Sequence, residues 1–375
     1  MNHSRFFHFG CWNQNYCDKS TNTTPISNVM KLLDKKVHSL HPNFIVVAGD
    51  NYYPDKIKTE NAFKKHIVKQ DKFDSGFKCL PKNVEIDMIL GNHDLETNST
   101  NNTKLFIEDE MHPEPPGSCF IMNHEIELAS SLQIQFVLQK CRWLNKDTVV
   151  IMIDTTMYDI DDDNNNISCY RQLLKNPDLT IEDLHALALH FVMSELMKGE
   201  PKNIIFIGHH PITGYKKKEK KGVVKVKLID SYAGLLHLLY SVFTVYPTCN
   251  YYYLCADLHL FQVGTVGIEA NGSSLMSIKQ YIVGTGGTKL DDDPFLDEVV
   301  KRDEIHIENY MVHYNMTEED LKLSVGQKHG FLECECGSSL QFVFHSVLQH
   351  EGGKKKNTKK SKKVHRKTKK RIYLH

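Results

Sequence analysis

The feature that most constrains this chain is a pattern repeated through residues 1–290: a short apolar run ends and a polar cluster follows at once. Arg5–Phe9 leads into Gly10-Cys11-Trp12-Asn13, and Phe44–Ala48 into Gly49-Asp50-Asn51-Tyr52-Tyr53. Glu85–Leu90 leads into Gly91-Asn92-His93-Asp94, and Val149–Ile153 into Asp154-Thr155. Ile204–Ile207 precedes Gly208-His209-His210-Pro211, and Tyr251–Cys255 precedes Ala256-Asp257-Leu258-His259. Tyr281–Val283 ends in Gly284-Thr285-Gly286-Gly287. Continuous apolar runs of this length suit strands buried on both faces. Between them, Ile26, Val29, Met30, Leu33 and Val37 fall at helical spacing, as do Leu184, Leu187, Ala188 and Phe191 within Ile181–Met197. Tyr232–Phe243 predicts a third helix, and the region of Asp178 offers a start for the second. The alternation predicts an α/β fold with its polar groups gathered at the carboxyl ends of strands.

Three segments read as excursions from that frame. Residues 159–178 carry the run Asp161-Asp162-Asp163-Asn164-Asn165-Asn166, which predicts an acidic loop, and Tyr215–Lys221 predicts a basic loop directly after the histidine cluster. The third is a low-complexity tail, and the chain divides into a domain over 1–348 and a disordered Lys/Arg-rich tail over 349–375. Twelve of the 46 basic residues lie within 354–371, so a formal net charge of zero conceals an acidic body and a basic tail. Such a tail suits nucleic acid or another anionic surface as a partner.

No apolar run is long enough for a membrane span, and the apolar patch at Phe6–Phe9 is too short for the core of a signal peptide. The expectation is an intracellular protein, cytoplasmic or nuclear. Ten cysteines do not make a disulfide scaffold, so reduced thiols are expected, with Cys334 and Cys336 packed in the core.

The clusters carry a recognisable chemistry. Hard metal ions take carboxylate, amide oxygen, imidazole and phenolate ligands. Two-metal phosphoesterases hold their ions about 3.5–4 Å apart around a shared ligand. Asp50 could bridge, Asn92 could supply an amide oxygen, His209 and His259 imidazoles, and Tyr53 a phenolate. Each dipeptide alone is an ordinary turn; all four clusters in order, each at a strand end, are not.

On these residues the chain resembles the calcineurin-like metallophosphoesterases, and within them the small purple acid phosphatases of the tartrate-resistant type. Gly49-Asp50-x-x-Tyr53, Gly91-Asn92-His93-Asp94, Gly208-His209-His210-Pro211 and Ala256-Asp257-Leu258-His259 carry the likeness over roughly residues 4–345. The resemblance implies a four-layer αββα sandwich of metallophosphoesterase type with two metal ions, Fe, Mn or Zn. One ion would take Cys11, Asp50, Tyr53 and His259; the other Asp50, Asn92, His209 and Asp257. His93 and Asp94 would be catalytic, with His93 near the leaving oxygen and Asp94 orienting it. Asn92, His93 and His210 would contact a phosphorylated substrate. The implied activity is hydrolysis of phosphoric monoesters by a metal-activated water.

Two positions depart from the family pattern. Cys11 stands where the first motif has Asp, and Asp257 stands where the last motif has its first His. Asn13 could supply an oxygen in place of the missing carboxylate. Two other functions stay open: a phosphodiesterase or nuclease gripping a polyanion with Lys216–Lys221, and a weakened enzyme whose fold now serves binding.

Overall fold

The repeated strand ends are realised as two mixed β-sheets packed face to face with helices outside. The computed structural model describes residues 4–21, 23–53, 65, 72–95, 119–160, 166–220, 223–295, 303–326 and 328–347. The basic tail, the Asp161–Asn165 run and the 348/349 domain boundary lie outside the described residues. In chain order the elements are β1 (Ser4–Phe9), α1 (Pro25–Leu40), β2 (Phe44–Ala48), α2 (Lys72–Cys79), β3 (Glu85–Ile89), the single turn α3 (Asn92–Leu95) and α4 (Phe120–Ser131). There follow β4 (Gln135–Phe136), β5 (Gln139–Asn145), β6 (Thr148–Ile153), α5 (Ile167–Leu174), α6 (Ile181–Leu196), β7 (Asn203–Ile207), β8 (Tyr215–Lys220), β9 (Val223–Leu228) and α7 (Ala233–Val245). The last are β10 (Asn250–Cys255), β11 (Phe261–Ala270), β12 (Met276–Val283), β13 (Asp303–Ile307), β14 (Tyr310–Asn315), α8 (Glu318–Ser324), β15 (Gly330–Cys336) and β16 (Leu340–Ser346).

One sheet has the order β16-β15-β1-β2-β3-β4, the other β13-β14-β11-β12-β10-β7-β6-β5. The strands that precede the polar clusters are parallel to one another within each sheet. Parallel strands end along one edge, so each sheet collects its clusters there. Alternation decides what each strand face covers. Val150, Met152, Ile205 and Ile207 join the core shared with the first sheet. Their neighbours Val149, Ile151, Ile204 and Phe206 pack with Leu184, Ala188 and Val192 of α6 and Leu235 and Leu239 of α7. On the first sheet, α1 buries Ile26, Val29, Met30, Leu33 and Val37, each contributing about 2 kcal/mol of apolar burial.

Helix ends follow local chemistry. Thr24 caps α1 by accepting from Ser27 N, Pro25 opens it, and His41 closes it in a left-handed conformation. The second helix begins at Ile181 as expected; Thr180, two residues beyond Asp178, caps it in a reciprocal capping box with Asp183.

Three expectations are corrected. The 159–178 segment is no simple loop: Ile167–Leu174 is helical, burying Cys169 and Tyr170. The basic segment is no loop either, since β8 and β9 pair as an antiparallel hairpin. Nor are all thiols reduced: Cys17 pairs with Cys79 and Cys119 with Cys169. Sequence counting misses these bridges because the partners lie 62 and 50 residues apart. Cys334 and Cys336 are buried free thiols on β15, as expected.

Candidate metal centre

The two sheet edges are stitched together before any side chain is considered. Gly10 N donates to Val283 O at 3.2 Å, Gly286 N to Gly10 O at 3.1 Å, and Cys11 N to Gly49 O at 3.2 Å. Two glycines make the approach possible. Gly49 has φ +76°, and a Cβ there would lie 2.5 Å from the His209 ring. A Cβ on Gly91 would lie 2.2 Å from Asp50 N. Three non-glycine residues at these strand ends are also left-handed: Cys11 (φ 52°), Asp50 (φ 53°) and Asp257 (φ 53°). Each such conformation costs about 1–3 kcal/mol and persists only where surrounding contacts impose it. Here it falls on three of the expected ligand positions.

Asp50 is fully buried, and its two carboxylate oxygens face different partners. Oδ2 accepts from the Tyr53 hydroxyl at 3.1 Å and the Cys11 thiol at 3.5 Å. The Tyr53 hydroxyl also lies 3.2 Å from His259 Nε2. Ligand atoms of Cys11, Asp50 and His259 all fall within 4.8 Å of one another. Oδ1 lies 3.3 Å from His209 Nε2 and accepts from His93 N at 3.2 Å. The same His209 Nε2 lies 3.1 Å from Asn92 Oδ1 and 3.9 Å from Asp257 Oδ1.

This arrangement is a test for a cation. His209 Nδ1 is 2.8 Å from Ala48 O, so Nδ1 donates and Nε2 turns its lone pair inward. That lone pair then meets oxygens of Asn92, Asp50 and Asp257. Four acceptors converge, and a cation is what they fit. His259 repeats the logic: its Nδ1 is 3.1 Å from Lys289 O, leaving Nε2 for the Cys11 side.

Proton affinities agree. His209 is held above its ordinary value: burial works against the charge, but Asp50 and Asp257 outweigh it. Burial also works against ionisation of Asp50, yet His209, His93 and His259 keep its pKa low. Burial pushes the Cys11 thiol well up, with Asp50 and Asp257 adding to the shift, and burial, Asp50 and Cys11 push the Tyr53 phenol up in the same way. Both ionise only when a cation offsets the neighbouring carboxylates.

The remaining expected residues fall as follows. His93, half-buried on α3, sets its ring 4.7 Å from that of Tyr53. Asp94 is fully buried and faces backbone. Its Oδ1 accepts from Asn51 N at 2.8 Å and Tyr52 N at 3.2 Å; its Oδ2 accepts from Gly91 N at 2.8 Å and Asn51 Nδ2 at 2.9 Å. It therefore buckles the Asp50 loop to the Asn92 loop. Burial and the Asp50 charge raise its pKa to about 7. His210 lies behind His209, its ring 4.9 Å away and buried against Tyr232. Asn13 does not reach the metal cluster: its Nδ2 donates to Phe73 O at 3.0 Å, under α2.

Several site residues escaped the sequence reading. Thr155 Oγ1 accepts from both His209 N and His210 N at 2.9 Å, fixing the histidine loop. Asp291 Oδ2 accepts from His259 N at 3.1 Å. Buried Glu125 stands beside Asp94, its carboxyl kept neutral by burial and by the Asp94 charge. Only Thr155 carried a signal, its place directly after a strand.

Two β-sheets with helices outside, and acid, amide and imidazole donors at facing strand ends, define a metallophosphoesterase sandwich. The chain belongs to the calcineurin-like phosphoesterase family, whose model matches residues 4–234. Family membership implies metal-dependent hydrolysis of phosphoric esters and the binding of divalent metal ions. Among solved structures the chain is similar to one described as "GAP50 the anchor in the inner membrane complex of Plasmodium", at 14% identity and TM-score 0.44. That match covers 94% of this chain and 87% of the other. No curated protein matches the chain in sequence.

Proposed function

We propose that this chain is a phosphomonoesterase of the purple acid phosphatase type, working with two metal ions. The observation that carries the proposal is the division of Asp50, with Oδ2 among Cys11, Tyr53 and His259 and Oδ1 beside His209 and Asn92. One ion would be held by Cys11, Asp50, Tyr53 and His259, the other by Asp50, Asn92, His209 and Asp257. Fe, Mn or Zn suits this mixed donor set. The Tyr53 hydroxyl, 3.1 Å from Asp50 Oδ2 and 3.2 Å from His259 Nε2, supports the purple acid phosphatase type.

When bound, such ions polarise phosphoryl oxygens and lower the pKa of a water. The chain's own residues do the rest. Ala48 O and Lys289 O hold the His209 and His259 tautomers, and Asp94 fixes the Asp50 loop against Asn92. Asn92 and His93 contact the phosphoryl group. The His93 imidazole holds a proton for the leaving oxygen. His210 is buried beside His209.

The test is metal content and turnover of an aryl monophosphate, for the wild type and Asp50→Asn. We expect about two ions per chain and turnover, both lost in the variant. Under one ion per chain with no turnover in Mn, Zn or Fe would overturn the reading.

A second reading, a weakened enzyme serving as a binding scaffold, is favoured by Cys11 and Asp257 standing in ligand positions. A large gain in turnover from Cys11→Asp with Asp257→His would support it, and a loss would support a site tuned as it is. Comparison with a diaryl phosphate tests the diesterase alternative. For the 349–375 tail we keep the sequence-based proposal of nucleic-acid or anionic-surface contact, checked by retention at low salt after its deletion. The two disulfides support an oxidising compartment in place of a reducing intracellular one.

A further inference from the structure

Among the described residues, the hairpin β8–β9 is a basic element rooted at the site. It begins five residues after His210, and its root is rigid. Gln262 Oε1 accepts from Tyr215 N at 2.9 Å, while its Nε2 donates to Tyr215 O at 3.2 Å. Gln280 does the same one turn earlier, accepting from Ile212 N at 2.8 Å and donating to Thr213 O at 2.6 Å. Both glutamines are fully buried. The hairpin therefore leaves the histidine loop in a set direction.

Its first lysine stands at the metal cluster. Lys216 Nζ lies 3.6 Å from Asp291 Oδ2, the same oxygen that accepts from His259 N. The Lys216 charge also acts on Asp257, opposing the rise that burial imposes on that carboxyl.

From there the register sets lysine opposite lysine. Lys216 pairs with Lys227, and Lys218 with Lys225. Like charges directly opposite in an antiparallel pair destabilise it. An isolated two-stranded hairpin is marginal to begin with. Two such pairs on a body that is otherwise acidic are poor choices for stability. The register puts Lys216, Lys225 and Lys227 on one face of the hairpin, where a row of ammonium groups suits an anion.

Spacing and composition narrow the anion. The two lysine pairs are two residues apart, about 7 Å along the strand. Successive anionic groups leading away from the metal cluster would meet the Lys216–Lys227 pair and then Lys225. Single-stranded nucleic acid would need aromatic side chains on which bases stack. Residues 215–228 hold one aromatic, Tyr215, and its ring is buried against Phe295 and Tyr314. A run of phosphates without bases fits better.

We propose that the β8–β9 hairpin is a specificity arm that takes the outlying phosphates of a substrate carrying several phosphates in a row. The proposal rests on the phosphatase reading and names its substrate class. In the reaction, water adds to the terminal phosphorus and the bridging P–O bond breaks. Inorganic phosphate leaves from the metal cluster, and the shortened chain departs along the arm with its electron pair and a proton.

The experiment compares inorganic tripolyphosphate with an aryl monophosphate, in the wild type and in the double variant Lys225→Glu, Lys227→Glu. Both lysines are exposed and lie outside the metal cluster. We expect kcat/KM for the aryl ester to stay within twofold. We expect kcat/KM for tripolyphosphate to fall at least tenfold and to lose most of its salt dependence. Equal losses on both substrates, or no loss on either, would overturn the arm. So would unchanged tripolyphosphate kinetics with weakened binding of a single-stranded oligonucleotide. If the wild type turns over neither substrate, the phosphatase reading fails by itself. Calorimetric binding of tripolyphosphate to wild type and variant then decides the arm separately: tenfold weaker binding in the variant sustains it, and equal binding removes it.

Discussion

The two sides of Asp50 differ in what their donors carry before any metal arrives. On the Oδ1 side, His209 Nε2, Asn92 Oδ1 and Asp257 Oδ1 converge; Ala48 O takes the His209 proton on Nδ1, and Asp50 and Asp257 favour a second proton on Nε2 where a cation would sit. On the Oδ2 side, the Cys11 thiol and Tyr53 phenol still hold their protons, and burial keeps them there. On one side a cation displaces an imidazolium proton and meets hard donors; on the other it must expel the far more tightly held protons of a buried thiol and phenol and meets a softer donor. The two sides should therefore load differently, with the Cys11 side more dependent on pH and on the softness of the metal.

The change that erases the comparison is Asp50→Asn, since Asp50 belongs to both sides. We expect kcat/KM to fall by about a thousandfold or more, roughly 4 kcal/mol in the barrier, with both ions lost in metal analysis.

Stability separates the sides next. Cys17–Cys79 braces the segment beyond Cys11, where Cys17 N also donates to Ser75 Oγ at 3.0 Å. By loop entropy the bridge is worth about 4 kcal/mol. Cys17→Ser should lower the denaturation midpoint accordingly and loosen the Cys11 side while leaving the His209 side loaded. Equal loss from both sides would break the distinction.

A third effect comes from His8, whose Nε2 lies 3.2 Å from Cys255 O and so ties β1 to the strand before Asp257. Burial lowers its pKa from 6.5 to about 4. As pH falls through 6.5 the unfolded chain gains a proton here, and the folded chain does not until about pH 4. Stability is therefore full above pH 6.5 and falls by roughly 3 kcal/mol on the way to pH 4. Urea unfolding at pH 7.5 and pH 5 should show that slope, reduced in His8→Gln.

Asp94→Asn should act on both sides alike, because it loosens the shared Asp50 loop rather than a ligand. We expect metal affinity to drop about 10–100-fold, read by competition with a chelator. A one-sided loss would show that Asp94 serves only one ion.

The smallest effect is the most specific to the comparison. Metal loading at the Cys11 side should release protons, and Cys11→Ser should reduce that release by about one. Calorimetry in buffers of different ionisation enthalpy measures it. Unchanged proton release would place Cys11 outside the ligand set.

Much of the site was legible because its residues follow apolar runs directly. Gly-Asp, Gly-Asn-His-Asp and Gly-His-His each sit where a buried strand must end, and the structure brings the two sheet edges that carry them together. Asp94 was read as a partner of His93 from adjacency alone. Its carboxylate faces the N–H groups of Asn51, Tyr52 and Gly91, and that choice depends on a loop more than 40 residues away. The hairpin was read as a loop because its lysines hid the alternation that marks a strand.

What the sequence determined alone was the set of strands, their polar ends and the donor chemistry, since these depend on neighbours a few residues apart. What only the tertiary structure decided was how the donors divide around Asp50, which cysteines pair, and where the lysine arm begins. Those depend on contacts such as His209 with Ala48, 161 residues apart, which exist only once the two sheets have packed.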